Sequence, residues 1–236
     1  NRMENKVAVI VAHPDDEILG CGGAIAKHIQ DGDEVSVLIM GEGVTSRDKH
    51  RDRNVRDSEF SALSKAAHEA NKILGTTSLT LGAFPDNRMD SLDRLDIIKS
   101  VEEFIQEQRP KIIYTHHLND LNVDHRCIHE AVVTACRPAP NQPVSTLLFF
   151  EVASSTDWQS PVSVPVFAPN WFVDISKTLD LKLKALDAYH TEMRPWPHSR
   201  SVKALEYLGK WRGATVGIEA AEAFVLGRKI VSASDK

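Results

Sequence analysis

The chain has 236 residues, 42% hydrophobic and 26% charged, with a formal net charge of -5. That composition suits a soluble α/β protein with one core, and its acidic balance gives no electrostatic footprint for nucleic acid. No apolar run nears the ~20 residues of a membrane helix, and Cys21, Cys127 and Cys136, three in number and outside any C-x-x-C spacing, fit a reducing cytoplasm better than a disulfide framework.

Residues 1–2, ahead of Met3, are set aside from fold reasoning. Residues 6–12 read as a strand whose continuous apolar run suits a parallel sheet covered on both faces. They are too short a run, too soon followed by charge, for a signal core. A helix over 16–30 follows, stopped by Asp31-Gly32-Asp33. Glu34 to Met40 is a second strand, and Gly41 to Asn54 a long polar loop. Residues 55–74 carry Phe60, Leu63, Ala67, Ala70 and Leu74 at near-helical spacing, with Gly75 as the stop signal. Leu79 to Gly82 is a short third strand ahead of a loop over 83–88. Residues 93–108 form a helix closed by Pro110, Lys111 to His116 a fourth strand, 125–136 a helix closed by Pro138, and Ser145 to Val152 a fifth strand. Beyond it, 153–170 is rich in Ser, Pro and Val without a period, suited to covering a pocket or a subunit contact in a homo-oligomer. Residues 171–175 read as a strand, 177–190 and 199–212 as helices, and 223–231 as a closing strand. No repeat or linker divides the chain, so 1–236 is expected to form one domain, with 153–236 as its less regular C-terminal elaboration.

Alternating strands and helices imply right-handed crossovers and a doubly wound, mainly parallel sheet with helices on both faces. The expected strand order is 3-2-1-4-5. Strands one and four then flank the switch point, where open α/β sheets bind ligands at their carboxyl ends. His13-Pro14-Asp15-Asp16-Glu17 follows strand one, and Asp124-His125 follows strand four. The topology therefore brings His13, Asp16 and His125 together.

Two imidazoles and a carboxylate with a fourth position open to water are the donor set of a catalytic zinc site; the same set suits Fe2+ or another divalent ion. Asp15 is left beside that water as a base. The competing account of the first cluster is an acidic helix start, favoured by the helix dipole. Glu17 reads as a helix-turn anchor or as the partner behind His13. Gly20, Gly22 and Gly23 fall inside the helix, so they read as close helix–sheet packing and not as a phosphate loop. One of His116 and His117 suits holding a ligand or Asp15; the competing account is a plain strand-end pair of which one faces solvent. His129, one turn after His125, is expected to face the sheet or solvent.

The string Ala12-His13-Pro14-Asp15-Asp16-Glu17, with Asn122-Val123-Asp124-His125-Arg126 downstream, resembles the PIG-L/LmbE family of metal-dependent N-deacetylases. The likeness extends to Gly20-Cys21-Gly22-Gly23, to Arg56-x-x-Glu59 with Leu74-Gly75, and to Pro85-Asp86, and so covers most of the chain. It implies a Rossmann-like fold, usually Zn2+, and hydrolysis of an N-acetyl group on an amino sugar. It maps metal ligands onto His13, Asp16 and His125 and the general base onto Asp15, and it places Arg56 and Asp86 in the substrate pocket. Arg88, on the same edge as Asp86, suits a phosphate or carboxylate on the substrate.

The chain departs from the family pattern at Asn122, where many members carry a histidine that polarises the carbonyl. Asn donates a neutral hydrogen bond but cannot protonate a leaving amine. His116, His117 and His198 are candidates for that acid role, and His198, in a proline-flanked loop, is favoured; Asn122 or His198 is expected to assist the metal in stabilising the tetrahedral oxyanion. The expected function is removal of N-acetyl groups from an amino sugar or sugar conjugate in the cytoplasm, releasing acetate. The alternatives are a non-catalytic metal- and sugar-binding protein, marked by a shell closed with His129 or Asp124, and a metal hydrolase of another ester or amide.

Overall fold

The structure is a computed structural model and describes residues 4–43 and 57–232. Five parallel strands form its centre: β1 (Lys6–Val11), β2 (Glu34–Gly41), β3 (Ser78–Phe84), β4 (Ile112–His116) and β5 (Thr146–Phe150). Their order is β3-β2-β1-β4-β5, as expected, with β1 paired to both β2 and β4. The C-terminal third continues the same sheet. β7 (Ala221–Lys229) pairs antiparallel with β5, and β6 (Trp171–Asp174) pairs antiparallel with β7.

Alternation along β1 explains the two-sided cover. Val7, Val9 and Val11 join one core cluster, while Ala8, Ile10 and Ala12 join the other. The first cluster includes residues of α1 (Asp16–Gln30), α2 (Asp57–Leu74), α5 (Leu179–Ala188) and α6 (Val202–Ala214). The second includes residues of α3 (Arg94–Gln108) and α4 (Val123–Ala135). On α2, Leu63, Ala67, Ala70 and Leu74 are buried, the apolar face expected from their spacing. Among the described residues no helix is long and apolar enough to cross a membrane.

Two boundaries differ from the sequence reading in ways that matter for the site. β3 takes in Ala83 and Phe84, which were expected in the following loop. α4 starts at Val123, two residues earlier than expected, because Asn122 Oδ1 accepts the Asp124 N–H at 2.8 Å and caps the helix. Asp124 and His125 therefore sit in the first turn of α4.

α1 is broken in its middle. Cys21 has φ -151° and ψ 26°, so neighbouring backbone groups lack their usual helical partners. Glu222 on β7 accepts the N–H groups of Gly23 and Ala24 at 2.9 and 2.6 Å. Lys182 on α5 donates to Leu19 O at 2.9 Å and to Glu222 at 2.7 Å. This buried ion pair stitches the C-terminal elaboration to α1. The glycines of α1 pack as expected: a Cβ on Gly20 would lie 2.3 Å from the Phe150 ring, and one on Gly23 2.8 Å from Ile175.

Candidate metal centre

β1 ends at Val11 and α1 begins at Asp16, so residues 12–15 turn at the carboxyl end of the sheet. β4 ends one strand away, and α4 returns over the same edge. The result is the convergence the topology implied: one donor atom from each of His13, Asp16 and His125 lies within 4.8 Å of the others.

Each imidazole is oriented by a carboxylate behind it. His13 Nε2 lies 2.8 Å from Asp124 Oδ2, and Asp124 is itself held by the N–H groups of Asn87 at 2.6 Å and Met89 at 2.9 Å. A carboxylate accepts only, so Nε2 donates to Asp124 and Nδ1 is the nitrogen that faces Asp16 Oδ2, 3.3 Å away. His125 is turned the other way round. Its Nδ1 lies 3.1 Å from Asp120 Oδ2, and its Nε2 faces Asp16 Oδ2 at 3.1 Å. Ser155 and Thr156 hydroxyls hold Asp120 in place. Two imidazoles that donate outward to carboxylates and turn their second nitrogens toward Asp16 form the arrangement that fixes metal-binding histidines.

The electrostatics agree. Asp15, Asp16, Glu17, Asp86, Asp120 and Asp124 are all buried here. Burial pushes His125 down, but Asp16 and Asp120 overcome it and lift its pKa to about 9. Burial likewise opposes His13, and its hydrogen bonds to Asp124 and Asp16 raise it well above the usual imidazole range. Asp16 is held well below the carboxylate range, because His125 and His116 outweigh its burial. The imidazoles are drawn toward cationic forms by a field that a divalent cation would neutralise directly, so the donor set fits such an ion.

Among the described residues, the neighbours His129 and Asp124 leave that donor set open. His129 bonds His116 O through Nδ1 at 2.9 Å and packs on Phe149, facing the sheet as expected. Asp124 is occupied behind His13. A cleft of about 310 Å³ reaches His13, Asp16 and His125, with Asp15, Asp86, Asn122 and His198 also on its wall.

Asp15 and Asp16 are neighbours that diverge. Asp16 Oδ2 accepts the His13 N–H at 2.9 Å. Asp15 Oδ2 accepts from Arg200 Nη1 at 2.9 Å. Burial raises the Asp15 carboxyl well above its ordinary range, with Arg200 opposing.

Several expectations need correction. Of the two roles expected for Glu17, helix-turn anchor and partner of His13, it takes the first: its carboxylate accepts from Asp15 N, Asn71 Nδ2 and the Tyr189 hydroxyl, and burial lifts its pKa to about 7. Asp124 takes the place behind His13. Of the strand-end pair, His116 stacks on His125 with centroids 3.9 Å apart and accepts the Ala12 N–H at 2.9 Å. His117 is buried against Phe167 and does not face solvent. Asn87 lines the cleft, and Arg88 next to it does not. Asp86 lies on the wall, with Oδ1 3.2 Å from His13 Nε2. Arg56, like Arg47, Arg51 and Arg53, lies outside the described residues.

Asn122 lines the cleft, but both ends of its side chain are engaged, Oδ1 with the Asp124 N–H and Nδ2 with Asn87 Oδ1 at 2.8 Å. His198 also lines the cleft, with Trp158 packed edge-on at 5.3 Å. Its Nδ1 accepts the Arg200 N–H at 3.0 Å, so the neutral ring carries its proton on Nε2.

Sequence reasoning passed over Asp120 and Arg200. Asp120 had a signal: in Asp120-Leu121-Asn122-Val123-Asp124-His125 the acid falls just before the capped helix start. Arg200 had none, because its contact with Asp15 spans 185 positions.

Sequence comparisons point to one family. Residues 8–136 match the PIG-L family, GlcNAc-PI de-N-acetylase. The chain is 30% identical to the uncharacterized deacetylase YaiS of Escherichia coli K12, over 76% of this chain and 88% of that one. It is 27% identical to a probable N-acetyl-alpha-D-glucosaminyl L-malate deacetylase 2 of Bacillus cereus, over 80% and 84%. Two solved structures share the fold at lower identity. The N,N'-diacetylchitobiose deacetylase of Pyrococcus horikoshii superposes with a TM-score of 0.74 at 20% identity, over 98% of this chain and 88% of that one. GalB, the 4-carboxy-2-hydroxymuconate hydratase of Pseudomonas putida KT2440, gives 0.73 at 19%, covering 98% of each chain. The fold alone thus hosts more than one reaction.

Proposed function

We propose, because this chain belongs to the PIG-L family of de-N-acetylases, that it is a metal-dependent N-deacetylase releasing acetate from an N-acetylated amino sugar or sugar conjugate. The observation that carries the reading is the convergence of His13, Asp16 and His125, each imidazole backed by a carboxylate, beside the separate carboxylate of Asp15. In this reading His13, Asp16 and His125 would hold the ion. Zinc suits two imidazoles and one carboxylate with a vacancy. When bound, such an ion supplies a Lewis acid and lowers the pKa of water.

The protein's own groups carry the remaining steps. The Asp15 oxygen not paired with Arg200 takes the proton from the attacking water. Its elevated proton affinity matches that task. His198, donating from Nε2, stabilises the oxyanion of the tetrahedral intermediate, as neutral donors do in preorganised sites. It is better placed as that donor than as the acid first expected of it, since protonating Nδ1 would break its bond to the Arg200 N–H. Asp15 then returns its proton to the departing amine. Asn122 fills its place in the family motif as a helix cap. Asp86, on the cleft wall, faces the sugar in this reading, and the family resemblance gives Arg56 a substrate-binding role.

The test is a panel of N-acetylated amino sugars and sugar conjugates assayed for acetate and free amine. Release that chelation abolishes and zinc restores supports the reading. An Asp15→Asn protein with bound zinc and undiminished release would remove Asp15 as the base. A non-catalytic metal protein is disfavoured because neither His129 nor Asp124 reaches in to close the ligand shell.

A further inference from the structure

We infer that Arg200 and the Glu17–Tyr189 pair form a two-sided clamp that holds Asp15 in a strained backbone conformation, and that they are positioning residues for this base. The inference rests on the proposed role of Asp15. Its φ of 103° lies in the left-handed region, where an aspartate is unfavourable without outside support. The conformation has a consequence: consecutive carboxylates, Asp15 and Asp16, go to different partners, one to Arg200 and the other to His13 N–H and His125.

The inner jaw is buried. Glu17 Oε2 accepts the Asp15 N–H at 3.1 Å, which fixes the peptide entering the strained residue. Glu17 Oε1 is held in turn by the Tyr189 hydroxyl at 2.6 Å and Asn71 Nδ2 at 3.0 Å. Glu17 and Tyr189 are fully buried, so this carboxylate meets no solvent and no substrate. It anchors α1 to α2 and α5 at the one residue that needs it.

The outer jaw comes from the loop before α6. Arg200 reaches Asp15 through Nη1, Ser154 Oγ through Nε at 2.9 Å and Ala153 O through Nη2 at 3.4 Å. A guanidinium held at three points delivers its fork in one orientation. The loop itself is closed by Arg194 N–H on Arg200 O at 3.0 Å, and Ser201 caps α6 directly after it. The Arg200 N–H also sets the tautomer of His198. One residue thus ties the base and the oxyanion donor into a common frame.

Arg200→Gln and Tyr189→Phe test the clamp. Both are expected to keep full zinc stoichiometry and a KM within about twofold of the parent, while kcat falls about 10–100-fold, the usual effect of losing a supporting partner. Arg200→Lys should recover part of that loss. A crystal structure of Arg200→Gln should show the Asp15 carboxylate displaced or in several rotamers, a readout that needs no substrate. A raised KM with kcat unchanged would make Arg200 a substrate-binding group and overturn the inference. So would a lowered melting temperature with parental kcat, or an Asp15 left in place in the Arg200→Gln crystal. Asp15→Asn separates the two readings. If it keeps turnover, the assignment of the base fails; if it is inactive while Arg200→Gln and Tyr189→Phe are not, the clamp alone fails.

Discussion

His13 Nε2 and Asp124 Oδ2 stand 2.8 Å apart, and that bond decides which nitrogen of His13 faces Asp16. The metal donor set is therefore built one layer deeper than its ligands. Replacing Asp124 with Asn frees the ring to change tautomer. Zinc affinity is expected to fall about 10–100-fold, and Asp120→Asn to act alike through His125. His129→Ala should leave affinity unchanged. Competition against a chromophoric chelator measures all three.

Removing the ion should cost stability as well as turnover. An ion that binds only the native state adds about 2.7 kcal/mol when present at a hundredfold excess over its Kd. For a chain of this size that corresponds to a rise in Tm of roughly 5–10 °C. Differential scanning calorimetry with EDTA and then with added zinc should show the shift, and zinc alone should restore activity.

Two cleft residues should respond differently to truncation. His198→Ala removes the proposed oxyanion donor, and kcat is expected to drop about 10²–10³-fold with zinc content intact. Asn122→Ala removes the cap of α4, with an expected cost of about 1 kcal/mol in stability and a smaller kinetic effect. Steady-state kinetics and chemical denaturation separate the two.

Gly20→Ala should destabilise the fold even though alanine is the better helix former. Its Cβ would lie 2.3 Å from the ring of Phe150, which is fully buried on β5. Overpacking of this kind costs about 1–3 kcal/mol, against the roughly 1 kcal/mol that alanine gains in a helix. A lower urea midpoint with an unchanged slope is the expected result.

The three cysteines should be inert in the native protein. Burial pushes the Cys136 thiol up to about 12 and raises Cys21 and Cys127 as well. A raised pKa leaves less thiolate at any given pH, and the thiolate is the nucleophile. Alkylation at pH 8 should be negligible in buffer and complete, at three sites, in denaturant.

The strands and most helices were legible because burial imposes a period. Residues 7–12 are apolar on both sides of β1, and α2 repeats its apolar residues every three or four positions. The strand order followed from chirality, and the meeting of His13, Asp16 and His125 followed from the strand order. The family motif then assigned Asp15. None of these steps needs a side-chain position: periodicity, handedness and the commonest sheet order gave the fold, and the resemblance to the family gave the roles.

Orientation was not legible. The sequence could not say that Asp124 would serve His13 while Glu17 served Asp15, because both are acids beside a histidine-bearing turn. It could not bring Arg200 to Asp15, nor Lys182 and Glu222 to the break in α1, since those pairs form between elements far apart in the chain. Nor could it show that Asn122 would spend its side chain on capping α4. Periodicity reports which face of an element is buried. Which nitrogen of an imidazole carries the proton, and which of two adjacent carboxylates meets a guanidinium, depends on contacts that exist only once the elements have packed.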